Sequence, residues 1–340
     1  MKTMKPLVTR TLILSTFLSL TLAKCAFGGS SVVIDFVSIG NLGNAADANN
    51  GYGPLGSVAY KYSIARTETT AAQYCTFLNS VAKADPYKLY SSGMGSTNYI
   101  ANIIRTGSSG SYSYSVSGGD GQRPVTLVSW FDAARFCNWM QNGQGNGSTE
   151  NGAYTLNGAM SGLYSVNAGA QFWIPTENEW YKAAYYDPTK GPAGGYWKYP
   201  SRTNSMPGNT VGLAGAANYN DGDYVGYPGE AFTEVGAYGP NSASYYGTND
   251  QGGNSHEWLD FKVANFLQSI RGGSALSDVN PLGSNYRLNQ QPYQEYGDTG
   301  FRIATVPEPS AALLVVLGSL LLTHRRMRPL DGNRSTTATR

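Results

Sequence analysis

The nine residues from Asp250 to Trp258, reading Asp-Gln-Gly-Gly-Asn-Ser-His-Glu-Trp, constrain this chain more than any other stretch. Gly252 and Gly253 admit positive φ at no steric cost, so the backbone can turn back and aim several carbonyl oxygens at one point. Asp250 and Glu257 bracket that turn. A calcium ion takes six to eight oxygens at about 2.3–2.6 Å, and Asp250, Glu257 and the carbonyls between them, with Gly253 and Ser255 foremost, make up such a set. A tight turn with capping carboxylates is the alternative that the same residues allow.

Both ends of the chain carry signals. Lys2, Lys5 and Arg10 precede the apolar run Leu12 to Leu22 and small residues from Ala23 to Ser30, the pattern of a secretory signal peptide over residues 1–29. The run is well short of the ~20 residues that span a bilayer. Cys25 invites a lipoprotein reading, but Lys24 stands where a small residue would precede a lipidated cysteine. At the other end, Pro307-Glu308-Pro309 precedes the apolar run Ala311 to Leu322 and the basic cluster Arg325, Arg326 and Arg328. Residues 306–328 resemble a PEP-CTERM sorting signal, followed by a polar tail over 329–340. That resemblance implies an exosortase-type sorting protease as partner, with the apolar segment in the inner membrane and the arginines on the cytoplasmic side. A plain C-terminal anchor is the alternative. Either places the body of the protein outside the cytoplasm, in the cell envelope, at the cell surface or in the extracellular matrix.

Residues 30–305 are left for the folded body. Hydrophobic residues at 41%, with 25 Tyr and 6 Trp, allow a substantial core despite 42 Gly. Charged residues are scarce at 14%, and Lys+Arg 24 against Asp+Glu 22 leaves no basic stripe in the body, which argues against nucleic acid as a partner. Cys75 and Cys137 remain after removal of the signal; in an oxidising compartment they can pair, and a bridge and two buried free thiols both stay open.

Local patterns mark the elements. Ser31 to Ile39 and Val58 to Ile64 alternate apolar and polar residues as strands do, and so does Tyr112 to Val116. Thr69 or Thr70 can cap a helix whose face carries Tyr74, Cys75, Leu78 and Val81 at helical spacing. Ser129-Trp130-Phe131-Asp132 and Thr176-Glu177-Asn178-Glu179 are capping boxes. In each, a hydroxyl and a carboxylate satisfy N–H groups that the first turn leaves free, so helices are expected from Trp130 to about Gln141 and from Glu177 to Asp187-Pro188. Asn-Gly pairs at 146, 151 and 157 suggest hairpins built on Ala153 to Leu156 and Leu163 to Val166. The Gly-, Pro-, Asn- and Tyr-rich segment 191–247 reads as long loops.

Read in order, Pro124-Val-x-x-Val-Ser-Trp-x-Asp-Ala, Pro175-Thr-Glu-x-Glu-Trp, Gly253-Asn-x-x-Glu-Trp, Arg271-Gly-Gly-Ser and Gly300-Phe-Arg resemble the formylglycine-generating enzyme, or sulfatase-modifying factor, family. The resemblance covers nearly all of residues 55–305. It implies one α+β domain related to the C-type lectin fold with little regular secondary structure, calcium at Asp250, Gly253, Ser255 and Glu257, and a second calcium for which only Asn218 and Asp223 carry over. It also implies two copper(I) cysteines shortly after Arg-Gly-Gly-Ser, and here the chain departs, with Ser277 and Leu282 in those places. A hydroxyl cannot replace a thiolate on copper(I), and leucine has no donor. Cys137 matches a common cysteine of the family, whose partner near Arg287 is absent. Iron-dependent relatives use several histidines, whereas this chain has only His256 and His324.

These residues lead to a calcium-stabilised binding scaffold for polysaccharide or a matrix protein, with copper not expected. The alternatives are an oxidoreductase acting on a protein cysteine through a non-standard site, and an extracellular hydrolase. For the last, Glu177 with Glu179 or Asp221 with Asp223 are the acid pairs available, and His256 is the single base in the body.

Overall fold

Each of the three α-helices formed by the described residues starts from a capping box. In the computed structural model, which describes residues 31–96, 102–222, 231–263 and 266–307, α1 (Ala71–Val81) is capped by Thr70 with Gln73. Helix α2 (Trp130–Gln141) is capped by Ser129 with Asp132, and α3 (Glu177–Tyr185) by Thr176 with Glu179. In every case the cap hydroxyl accepts the third backbone N–H while the third side chain accepts the cap's own N–H. The signal-peptide residues, Asp223 and the chain from residue 308 on lie outside the described residues. No helix among the described residues is long and apolar enough to cross a membrane.

Among the described residues twelve short strands join the helices: β1 (Phe36–Ile39), β2 (Tyr62–Ala65), β3 (Ile103–Thr106), β4 (Ser113–Val116), β5 (Phe172–Trp173), β6 (Tyr186–Asp187), β7 (Gly195–Tyr196), β8 (His256–Val263), β9 (Leu267–Arg271), β10 (Leu288–Gln290), β11 (Thr299–Gly300) and β12 (Ala304–Thr305). One four-stranded sheet runs β1-β2-β12-β5 and a second β10-β9-β8-β11, while β3-β4 and β6-β7 are separate pairs. The two ends of the domain therefore meet, since β12 lies between β2 and β5. Chain order also brings β11 beside β8 in parallel, with Thr299 opposite His256 and Gly300 opposite Glu257. Gly300 is obligatory there, because a Cβ would stand 2.3 Å from the Val125 carbonyl oxygen.

The core between α1, α2 and the sheets is aromatic. Phe136 packs on Phe77, Trp139 and Phe301 with ring centroids 5.3–5.5 Å apart, mostly tilted or edge-on. Pairs of this kind add about 0.5–1.5 kcal/mol each beyond the area they bury. Cys75 and Cys137 are both buried and unbridged, so the disulfide that the sequence left open is not formed. Cys75 Sγ instead receives the Asn79 amide at 3.6 Å.

Two expectations need correction. Residues 153–156 and 163–166 form no strands. The Asn138 side chain on α2 takes the backbone bonds that a partner strand would have taken, donating to Thr149 O and Tyr154 O and accepting Tyr154 N–H at 2.7 Å. Arg135 fixes the same segment through Glu150, at 2.8 and 3.0 Å. Conversely, β3, at Ile103–Thr106, forms where the sequence shows no alternation, by pairing with β4.

Candidate functional site

The Asp250–Trp258 loop is clamped on both sides by backbone. Gly253 N donates to Gly272 O at 2.7 Å and Asn254 N to Asn218 O at 2.8 Å. Gly253 sits at φ 94°, and a Cβ there would lie 2.0 Å from Asn218 O, so no other residue fits. Asp250 and Asn254 also have positive φ, at 61° and 60°, which fixes the loop's recurved path.

Within that loop the two acids have different fates. Glu257 is wholly buried and receives Arg302 on both oxygens, Nε at 2.6 Å and an Nη at 2.7 Å, with Trp180 Nε1 as a third donor at 2.8 Å. Arg302 uses its remaining donors on the carbonyls of Ala65, Arg66 and Asn249. In the fold the charge compensating Glu257 is Arg302. The acid that receives no N–H donor is Glu68, 1% exposed, whose side-chain hydrogen-bond partner is the Asp250 carboxyl. Burial first, and then the charge of Asp250, hold its carboxyl well above the usual carboxylate range, with Arg302 pulling the other way. Burial likewise raises Asp250 to about 6, although Gly236 N–H and Arg302 favour its charged form.

Three carboxylates, those of Glu68, Asp250 and Glu257, thus share one guanidinium. Fully ionised, they would leave two buried negative charges, a state that protein interiors resolve with protons or a bound cation. No three His, Cys, Asp or Glu side chains among the described residues converge as a ready-made cage. A hard cation here would draw on Asp250 and Glu68 together with carbonyl oxygens of the loop, those of Gly253 and Ser255 included. The adjoining carboxyls of Glu68 and Asp250, the former without an N–H donor, fit that role. Of the second suggested site, the Asn218 side-chain nitrogen donates to Ala231 O and Asn254 Oδ1, and Asp223 lies outside the described residues. Glu177 and Glu179 do not pair either, because Glu177 holds Arg271 and Arg287 while Glu179 caps α3 and receives Trp173 and Tyr60.

The segment after Arg271 runs alongside. Gly272 and Gly273 take φ of 100° and 74°, and a Cβ on Gly273 would meet Leu282 Cδ1 at 2.6 Å, so Leu282 closes over the glycine. Leu282 is fully buried, clustered with Tyr199, Ala217 and Tyr219. Ser277 is half-buried, and its Oγ lies 3.2 Å from His256 Nε2 and 3.0 Å from Ser274 Oγ. Ser274 Oγ donates to Asp298 Oδ2 at 3.0 Å, an oxygen 3.9 Å from His256 Nε2. Sequence reasoning found His256 and Ser277 separately but missed Asp298 and Glu68. A carboxylate between Thr67 and Thr69, just before the α1 cap, was the available signal for Glu68.

Elsewhere an open groove of about 590 Å³ is lined by Tyr186, Tyr196 and Trp197 with Asp47, Asn49 and Lys190. Lys190 Nζ covers one face of Trp197, 4.1 Å from the ring centre.

Solved structures share this fold. Treponema denticola variable protein 1 superposes with a TM-score of 0.52 at 21% identity, covering 82% of this chain and 96% of that one. The crystal structure of CarF gives a TM-score of 0.51 at 20% identity, covering 81% of this chain and 99% of that one. No curated protein sequence matches the chain. The sulfatase-modifying factor enzyme 1-like domain family matches residues 37–306, in keeping with the α+β fold and the ordered motifs, and the chain belongs to that family.

Proposed function

We propose that this protein is an exported member of the family that does not carry out copper oxidation and serves as a calcium-stabilised binding scaffold at the cell surface or in the extracellular matrix. One observation carries the reading: where the resemblance calls for two copper thiolates, the chain has a hydroxyl at Ser277 and a fully buried hydrocarbon at Leu282. Neither binds copper(I). Calcium is supported by the surplus of buried carboxyl groups around Arg302, those of Glu68 and Asp250 adjoining one another. The ligand class is supported by the groove of Tyr186, Tyr196 and Trp197, where aromatic faces beside amide and charged groups suit polysaccharide. Export and sorting rest on the Lys- and Arg-led signal at the start and on Pro307-Glu308-Pro309 with its apolar run and basic cluster, read by an exosortase-type protease.

A glycan-array screen of the purified protein, run beside a copper-supplemented assay on a peptide bearing the sulfatase-type cysteine motif, tests this reading. Binding to a defined polymer with no aldehyde by mass spectrometry is the expected result. Aldehyde above a metal-free control would overturn it.

A further inference from the structure

We propose that Ser277 is a nucleophile that takes an acyl group from a carboxylic ester, with His256 accepting its proton, so that the place of the family's first copper cysteine has become an ester-cleaving site. The observation is the convergence of Ser277, His256, Ser274 and Asp298, which come from three separate segments. His256 opens β8, and Asp298 immediately precedes β11. Parallel pairing of β11 with β8, together with the bond from His256 N to Asp298 O at 2.9 Å, holds the two side by side. Ser274 and Ser277 come from the turn after Arg271, which is closed by Ser277 N donating to Ser274 O at 3.0 Å.

Each hydroxyl is oriented. Ser274 gives its one proton to Asp298 Oδ2 at 3.0 Å, and its backbone N–H donates to Ser277 Oγ at 3.1 Å. Ser277 therefore keeps a proton to give, and in the tautomer that carries its hydrogen on Nδ1 the strongest acceptor within reach is the imidazole Nε2 at 3.2 Å, inside the range expected of a nucleophile and its base. The carboxylate of Asp298, 3.9 Å from that nitrogen, faces the positive charge the ring gains. Access is one-sided: His256 and Ser274 are buried, whereas Ser277 and Asp298 are partly exposed. A hollow of about 350 Å³, lined by Met206, Tyr219, Asn220, Asp278 and Val279, begins at the residue after Ser277 and offers a largely apolar wall. Asn220 N, bonded to Ser277 O at 2.8 Å, ties that wall to the nucleophile's backbone.

In the reaction, Ser277 Oγ forms a bond to the carbonyl carbon as its proton passes to Nε2. The ester C–O bond breaks, and the departing alkoxide takes that proton and leaves as the alcohol. Water then adds to the acyl-serine, giving its proton to Nε2. The Ser277 oxygen leaves as the carboxylic acid forms and recovers the proton, so the sum is ester plus water to acid plus alcohol, with no oxidant or metal entering.

This inference goes beyond the scaffold reading and does not depend on it. The test uses the purified full chain with short-chain p-nitrophenyl esters and with a fluorophosphonate probe. We expect the probe on the peptide containing Ser277, and ester hydrolysis about a hundredfold above that of Ser277→Ala, the lower end of what a positioned base contributes. Asp298→Asn should lower kcat while leaving KM unchanged. Mapping the probe on the wild-type chain needs no variant, so a misfolded Ser277→Ala does not blunt the test. Labelling at any other residue, no labelling beside a labelled serine-esterase control, or equal hydrolysis by wild type and Ser277→Ala would overturn the proposal.

Discussion

Glu257 and Glu68 lie around the same guanidinium, yet their substitution should have opposite effects. Glu257→Gln leaves Arg302 buried with its partner's charge gone, and breaking a buried pair of this kind costs about 3–5 kcal/mol. The loss should appear in urea unfolding with or without calcium. Glu68→Gln replaces a buried carboxyl that adjoins Asp250 with a neutral amide that can still donate to it, so in chelator the variant should match or exceed wild type. Wild type should gain stability as RT ln(1 + [L]/Kd), about 2.7 kcal/mol at a hundredfold Kd of calcium. Glu68→Gln should lose most of that gain, and equal calcium responses in melting experiments would remove Glu68 from the site. Asp132 supplies a separate pH signature. Burial raises its carboxyl to about 8 against the favourable bonds from Ser129, so the folded state holds a proton that the unfolded chain releases near 4. Stability from this group is therefore full below about pH 4 and declines as pH rises toward 8, by at most about 1.4 kcal/mol per unit. Asp132→Asn, which mimics the protonated form, should flatten that part of the stability profile while α2 stays intact by circular dichroism.

The turn from Gly272 to Leu282 is the element in which this chain parts from the copper-binding pattern, and it can be tested as an element. Ser277→Cys together with Leu282→Cys restores two thiols, and the double variant should compete with a copper(I) chelator where wild type does not. Its cost should be on the order of 2 kcal/mol, since Leu282 fills the space over Gly273 and a smaller side chain leaves a void there. The helices were legible in sequence because Ser129 to Asp132 and Thr176 to Glu179 state their own starts, and α2 runs as the pattern says. Strands β5, β6, β7, β11 and β12 were not, because two residues are too few to show a period of two. The expected hairpins failed because Asn138, a side chain on another element, satisfies that backbone. The site divides in the same way. Asp250, Gly253 and Ser277 are local and were readable, whereas Glu68, Asp298 and the choice of Arg302 as partner to Glu257 depend on pairings between distant segments.

At the scale of the whole molecule, the sorting proposal predicts that the protein recovered from its host lacks the region after about Pro309. Intact-mass analysis decides this, and a mass that includes Arg340 would instead support a retained anchor. The closing of the first sheet gives that proposal a spatial consequence. Strand β12 is buried between β2 and β5, and its last residue, Thr305, stands only four positions before Pro309. The apolar run begins two residues further on, at Ala311, and at ~3.3–3.6 Å per extended residue the tether of six positions reaches no more than about 22 Å. A chain still held by its apolar tail would keep the finished domain within that distance of the membrane. Its first sheet also cannot close until the residues nearest the membrane have emerged, so translocation of the body precedes completion of its core.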